Sequence, residues 1–171
     1  GSNQAITNDG NSDLQPDLVW IRARNESTDS ALLDSTRGLT KRLHANTNDQ
    51  ETNDSSATMA SFDSDGFTMT QYNIANDSDD TGVAWQWKAN GGTTSSNSDG
   101  DITSTVQANT TAGFSIVTYT GTGSDASVGH GLGVAPTMYV IKARDRSDHW
   151  IVGHTSLGTS TYPYNLILSQ N

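Results

Sequence analysis

Aromatic side chains beside polar loops are the residues best suited to hold a ligand. Flat rings stack on the apolar faces of pyranose sugars, while nearby polar and charged groups bind the hydroxyls. His149, Trp150, Tyr162 and Tyr164 border such loops, and Arg144 lies close by in the sequence. These five residues are the candidates for a carbohydrate site; the alternative, which is favoured for each ring taken singly, is that the rings pack beneath the loops.

The other tryptophans lie inside strongly apolar segments. Trp20 belongs to 18–21, and Trp85 and Trp87 belong to 83–89, where apolar residues alternate with smaller or polar ones. This pattern predicts strands and favours burial of all three rings in the core.

Asp63-Ser64-Asp65-Gly66 has a shape that suits a hard cation, because short carboxylates and a glycine turn can direct oxygens at calcium. The later ligands of a calcium loop, above all a bidentate Glu, do not follow. A plain turn is therefore the favoured interpretation of Asp63 and Asp65. Calcium is the one cofactor that the sequence leaves open.

Signatures of catalysis are missing from the sequence. The chain has no Cys, no Gly-x-Ser-x-Gly and no strand with the paired Glu residues of jelly-roll glycosidases. Its four His residues do not have the His-x-x-x-His spacing of a helical zinc site. We expect a protein that is not an enzyme.

The charge of the chain also limits its partners. A formal net charge of −10 repels phosphate backbones, so nucleic acid is an unfavourable partner. Apolar runs fall short of the roughly 18 residues that span a bilayer, and we expect no membrane insertion.

The composition predicts an all-β fold with antiparallel sheets. Only 32% of the residues are hydrophobic, while 16 Gly and many Ser, Thr, Asn and Asp supply turns between short strands. Strands are expected at 18–21, 31–33, 40–44, 83–89, 114–119, 138–141, 150–152 and 164–168, and a hairpin at 59–69. Loops are expected at 45–56 and 73–82.

The polar stretches suggest an organisation in four parts. Residues 1–15 are a flexible lead-in or one short edge strand, and 91–112 are a polar linker. Between and after them lie two partial β repeats, 16–90 and 113–171, which pack as one sandwich or as two small ones.

A repeat supports this division. A shift of 120 residues lays 16–38 on 136–158 without a gap, with six identities that include Pro16/Pro136, Ile21/Ile141 and Gly38/Gly158. One supersecondary unit therefore occurs twice. Either the partial copies complete one another within the chain, which is slightly favoured, or a neighbouring subunit fills open sheet edges.

Six motifs, PDLVWIRAR, LLDSTRG, SFDSDGF, VAWQWKA, GFSIVTYTGTG and VGHGLGVAP, occur in this order between residues 16 and 136, and the resemblance that they carry covers roughly residues 16–171. Together they resemble a repeat domain of tail-fibre-like proteins of marine phages and of related bacterial sequences. The resemblance implies a jelly-roll or concanavalin A-like β-sandwich of lectin type, with no catalytic residues to transfer. The sequence departs from this repeat at Gln86, where Cys is frequent.

These observations leave three hypotheses. The first is an extracellular or virion adhesin that binds a host cell-surface glycan. The second is a structural fibre or decoration protein that binds other virion proteins and forms homo-oligomers by strand exchange. The third and least favoured is a polysaccharide-degrading enzyme.

Overall fold

The computed structural model describes residues 2–56, 58–70, 74–157 and 166–169. The described residues form antiparallel sheets and no α-helix, which confirms the all-β prediction. None of them lies in a helix long and apolar enough to cross a membrane. The strands are β1 (Gln4–Thr7), β2 (Leu18–Ala23), β3 (Ala31–Asp34), β4 (Lys41–Arg42), β5 (Thr52–Asn53), β6 (Met59–Asp63), β7 (Gly66–Met69), β8 (Gly82–Trp87), β9 (Ser95–Asn97), β10 (Ser104–Asn109), β11 (Phe114–Thr118), β12 (Met138–Ile141), β13 (Ile151–His154) and β14 (Leu166–Ile167). A 3₁₀ turn follows β13 at Thr155–Leu157.

A three-stranded sheet in the order β3-β2-β8 is the centre of the first half of the chain. Strand β2 alternates between buried residues (Val19, Ile21, Ala23) and half-buried ones (Leu18, Trp20, Arg22). One side of the sheet therefore faces a core and the other is partly open. The strands predicted at 18–21, 31–33 and 83–89 are confirmed.

A second sheet, β1-β7-β6, contains the predicted hairpin. The turn between β6 and β7 ends at Gly66, whose φ of 116° lies in the region that favours glycine. A Cβ at this position would lie 2.0 Å from the carbonyl oxygen of Ile6. The close approach lets β1 pair with β7. Of the two predictions for residues 1–15, a flexible lead-in or a short edge strand, the edge strand is observed at 4–7.

One core cluster joins these two sheets. It contains Val19 and Ile21 from β2, Ala31 and Leu33 from β3, and Met59, Phe67 and Met69 from the hairpin, together with Ile74. Apolar residues of the two sheets thus bury each other, and this burial is the main stabilising contribution in this half of the chain.

The predicted linker, 91–112, contains strands, which corrects the prediction for this segment. Strands β9 and β10 lie in it and form the sheet β11-β10-β9 with β11. Fully buried Gln107 accepts hydrogen bonds from the N–H groups of Asn90 and Gly92 and donates to the hydroxyls of Ser35 and Thr36. Composition misled here, because Ser and Thr form strands when their backbone groups find partners.

The buried Asp17 carboxylate also binds the segment 89–92. Its carboxylate accepts hydrogen bonds from the N–H groups of Ala89, Gly91 and Gly92 at 2.7–2.9 Å and from the Ser35 hydroxyl at 2.7 Å. The 89–92 turn is therefore fixed to the start of β2 by a fully buried carboxylate whose two oxygens each accept two hydrogen bonds.

The internal repeat is visible in the backbone. Strand β2 pairs with β3 as Leu18↔Asp34 through Ile21↔Ala31, and β12 pairs with β13 as Met138↔His154 through Ile141↔Ile151. Every pair is offset by 120 residues. Even the hydrogen bond from Ser35 N–H to the Asp17 carbonyl has its counterpart from Thr155 N–H to the Thr137 carbonyl, both at 2.9 Å.

Three smaller predictions need adjustment. The segment 45–56, predicted as a loop, contributes the short strand β5. The strand predicted at 40–44 is regular only at β4, which pairs with β5. The strand predicted at 164–168 is observed as β14, and residues 164–165 lie outside the described residues.

Candidate functional site: an aromatic sheet face

The open side of the β3-β2-β8 sheet carries a row of aromatic side chains. Directly opposed residues of antiparallel strands share a face, and Trp20 lies opposite Trp85 while Leu18 lies opposite Trp87. The Trp20 and Trp85 rings are 5.4 Å apart at 51°. Trp87 stacks on Phe114 of β11 at 6.3 Å and 24°. Four aromatic residues from three strands thus form one surface, called the aromatic face below.

The aromatic face is accessible to solvent, which corrects the prediction that its tryptophans lie in the core. Trp85 is 48% exposed and Trp87 is 37% exposed, and Trp20 is half-buried. The sequence held a signal for this orientation. Arg22 lies two residues after Trp20 on β2, so the two side chains point to the same face of the sheet. A charged side chain on that face indicates that the face meets solvent.

An ionic cluster borders the aromatic face on its β3 side. Asp34, which lies opposite Leu18, binds Arg37; Arg37 Nη1 also donates to Glu51 at 2.9 Å. Arg144 approaches Glu51 with two nitrogens at 2.8 Å each. Asp34, Arg37 and Glu51 have side chains that are almost fully buried, so this cluster is a built feature of the fold.

The pKa of Glu51 reflects this surrounding. Burial raises the pKa of its carboxyl, but hydrogen bonds and charges of Arg144 and Arg37 outweigh the burial and hold the pKa below 4.5. The hydrogen bond to Glu51 likewise raises the pKa of Arg144. Both groups are therefore charged at neutral pH.

Trp150, predicted as a sugar-stacking residue, is buried, which corrects that prediction. It is only 4% exposed, and its Nε1–H donates to the His44 carbonyl at 2.8 Å. An indole with its one donor satisfied inside the protein packs the second copy of the repeat onto the first. It offers no free face to a ligand.

The two remaining predicted ligand residues that the structure describes, His149 and Arg144, make separate contacts. His149 is half-buried, with Nδ1 3.2 Å from the Ser169 hydroxyl, and Arg144 is bound to Glu51. Tyr162 and Tyr164 lie outside the described residues. Of the five predicted residues, the structure therefore places Arg144 in the ionic cluster and Trp150 in a packing role.

Asp63 and Asp65 have structural uses in the hairpin. The Asp63 carboxylate accepts hydrogen bonds from the hydroxyls of Ser61 and Thr68, and Asp65 accepts one from the Leu14 N–H at 3.1 Å. The bond from Thr68 links β6 to β7, and the bond from Leu14 fixes the turn to the segment at Leu14. Across the described ranges, no three His, Asp or Glu residues come close enough together to hold a metal ion.

A shallow groove of about 470 Å³ lies along the glycine-rich segment, between Asp99 and the residues 128–135. His130 lines it, and its Nδ1 accepts the Leu132 N–H at 3.2 Å. Nearby, hydrogen bonds from Ser127 lower the pKa of exposed Asp101. The Ser127 bonds fix the segment to the loop between β9 and β10, and a Cβ on Gly129 would meet the Asn97 side chain, which would have to shift.

The sheet β12-β13-β14 also carries accessible apolar residues. Met138, Val140 and Ile141 of β12 and Leu166 of β14 are each between 42% and 56% exposed. Met138, Val140 and Leu166 lie on one face of this sheet and Ile141 on the other, and several exposed apolar residues on the two outer strands favour an interaction surface.

Comparison with known proteins gives a family without an assigned activity. No significant match was found among the curated proteins or among the solved structures. One family model, described as a domain of unknown function (DUF7483), matches residues 1–171. The chain therefore belongs to the DUF7483 family.

Proposed function

We propose that this chain is a non-catalytic binding module that recognises a host cell-surface glycan through the aromatic face. The observation that carries the proposal is the exposure of Trp85 and Trp87 beside Trp20 and Phe114. Leaving two indoles in water on one sheet face is unfavourable unless a ligand covers them. Flat pyranose rings suit such a surface.

The wider setting is part of the same proposal. The protein acts outside the cell or on a virion, as an adhesin of tail-fibre type. Its sheets belong to a jelly-roll or concanavalin A-like sandwich assembled from two partial repeats. The shared core of β3-β2-β8 and β1-β7-β6 supports a two-layer packing, and the motif resemblance supports the tail-fibre setting.

A non-catalytic role agrees with how the glutamates are placed. The Glu51 carboxylate is held by Arg37 and Arg144, and Glu26 lies on an exposed loop. A glycosidase needs one carboxyl that is free to donate a proton and a second one across a cleft from it.

A glycan array probed with the labelled full chain tests the proposal. We expect binding to a subset of glycans, weakened at least about tenfold by Trp85→Ala, which removes a stacking surface. Tyr119→Ala is the matched control, because Tyr119 is an equally exposed aromatic residue beyond the end of β11. An array with no signal above background, or equal losses in both variants, would contradict the proposal.

A second candidate function is assembly, as a structural fibre or decoration unit that forms homo-oligomers. The exposed apolar residues of β12 and β14 favour it, because such surfaces usually pair with another chain. A light-scattering mass tests this role, and a monomer at every concentration would contradict it.

A further inference from the structure

Strand β12 repeats β2 but lacks one of its neighbours. Strand β2 has β3 on one edge and β8 on the other. Strand β12 has β13 on the matching edge, in the matching register, and no strand among the described residues on its second edge. The first copy therefore shows what kind of strand completes a sheet of this sequence.

The backbone groups at the second edge of β12 can be identified. Thr155 N–H donates to the Thr137 carbonyl, so residues 137, 139 and 141 face β13. Because the direction alternates along a strand, Met138 and Val140 present their N–H and C=O groups at the second edge. Neither a proline nor a charge blocks this edge within β12.

Strand β8 has a matching edge of its own. Arg24 N–H donates to the Thr81 carbonyl, so residues 81, 83, 85 and 87 face β2. Gly82, Ala84 and Gln86 then point their backbone groups away from β2. Strand β8 is the outer strand of its described sheet, and it too contains no charge and no proline.

We propose that β12 of one copy pairs antiparallel with the outer edge of β8 of a second copy of this chain. The contact joins β3-β2-β8 of one copy to β12-β13-β14 of the next in one sheet. A strand of the VAWQWKA type then lies between two strands of the repeated type, one from its own chain and one from the other copy. The inference rests on the second proposed function, assembly, and is independent of glycan recognition.

Charge supports the antiparallel, head-to-tail arrangement. Asp77, Asp79 and Asp80 precede β8, whereas the segment 142–148 after β12 carries three cations, Lys142, Arg144 and Arg146, and two carboxylates, Asp145 and Asp148. Antiparallel pairing brings the end of β12 beside the beginning of β8, and therefore brings a segment of net charge +1 beside one of net charge −3. Pairing of β12 with another β12 would place Lys142 beside residues 136–137, which carry no charge.

Apolar exposure supports the same arrangement. When Val140 lies opposite Ala84, Tyr139 lies opposite Trp85 and Ile141 opposite Val83, each pair on one face. Tyr139, Ile141 and Trp85 are each 40% exposed or more in the single chain. The pairing covers part of each and extends the aromatic face by one strand.

Sedimentation velocity of the full chain over a wide concentration range tests the inference. A head-to-tail contact uses two different surfaces, so it can add copies beyond the dimer. We expect species larger than a dimer at high concentration. Val140→Pro removes the outward N–H and spares those that face β13, and it should weaken association at least about tenfold.

Three further variants make the test specific. Val140→Thr is the matched control, because it keeps the N–H and the shape, and it should associate like the wild type. Ala84→Pro should also lose the assembly, and a mixture of Ala84→Pro with Val140→Pro should form a dimer and nothing larger, since one intact edge of each kind remains. Circular dichroism checks the fold, and Gly82→Pro replaces Ala84→Pro if that variant unfolds, because proline is tolerated at the first residue of a strand.

The outcomes separate the inference from the function on which it rests. Association of Ala84→Pro at the wild-type level, with Val140→Pro monomeric, would overturn the β8 contact and leave an assembly role. A wild-type monomer at all concentrations would overturn both.

Discussion

The first copy of the repeated unit, β2 with β3, and the second, β12 with β13, share one hydrogen-bond register but differ in their surroundings. In the first copy, β8 covers one edge and the hairpin β6–β7 covers one face. In the second, the described residues supply neither. Ile21 is consequently 4% exposed, while the identical residue Ile141 is 42% exposed. The pairing of two strands is thus encoded locally, whereas burial depends on what the rest of the assembly supplies.

The residues just before β2 and β12, Asp17 and Thr137, differ in burial in the same direction. Asp17 at the start of β2 is buried and accepts four hydrogen bonds, while Thr137 at the start of β12 is exposed. The first copy has a network that holds the 89–92 turn, and the second has no equivalent among the described residues. The comparison suggests that the first copy forms the stable scaffold and the second presents an interaction surface.

The largest expected effect comes from truncating the shared isoleucine in each copy. Ile21→Ala removes a buried side chain from the core cluster and should lower the free energy of unfolding by about 3–4 kcal/mol. Ile141→Ala should lower it by less than about 1 kcal/mol, since little burial is lost. Urea denaturation at a concentration where the chain is monomeric measures both, and equal losses would break the comparison.

The next effect concerns the buried carboxylate. Asp17→Ala leaves the N–H groups of Ala89 and Gly91 without their acceptor and removes one of the two acceptors of the Gly92 N–H, and it should destabilise the fold by about 3 kcal/mol. Thr137→Ala, at the equivalent exposed position, should change stability by less than about 0.5 kcal/mol. The thermal unfolding midpoints of the two variants check this, and a small effect at Asp17 would mean that the network is dispensable.

A smaller loss of folding stability is expected at Glu51, where residues of the two copies meet. Glu51→Gln should cost about 2 kcal/mol at neutral pH, after allowance for solvent around Arg144. The folded-state pKa of Glu51 lies below 4.5, so its carboxylate stabilises the fold above that value and this contribution is lost as pH falls through the folded pKa. Wild type and Glu51→Gln should therefore keep their difference in stability above pH 4.5 and converge only when the pH falls below the folded-state pKa of Glu51. A constant difference down to acidic pH would exclude this ion pair as the cause.

Much of the fold could be predicted from the sequence because alternation and turn residues act locally. The strands around Trp20, Leu33 and Trp85 and the hairpin at Gly66 follow directly from such signals. The 120-residue repeat predicted the common register of β2–β3 and β12–β13. Strands β9 and β10 were not predicted, because their stability comes from the long-range hydrogen bonds of Gln107 and from pairing with β11.

The candidate site was harder to predict than the strands. Trp85 and Trp87 are two residues apart on one strand, so the sequence placed both rings on the same face. It did not show whether that face met the core or the solvent. Trp150 borders a polar loop in the sequence, and only the distant His44 carbonyl explains its burial. Tertiary partners more than a hundred residues away leave no local signal, so side-chain exposure was predicted less well than strand position.

Amide hydrogen exchange at Trp20 and Val140 tests the contrast between the two copies most directly. These residues occupy the same position in the repeat, and each points its N–H away from the neighbouring β3 or β13 strand. At high dilution we predict strong protection at Trp20, which β8 covers, and exchange close to the unstructured rate at Val140; protection at Val140 should rise with protein concentration. Equal protection of both amides at high dilution would contradict the account.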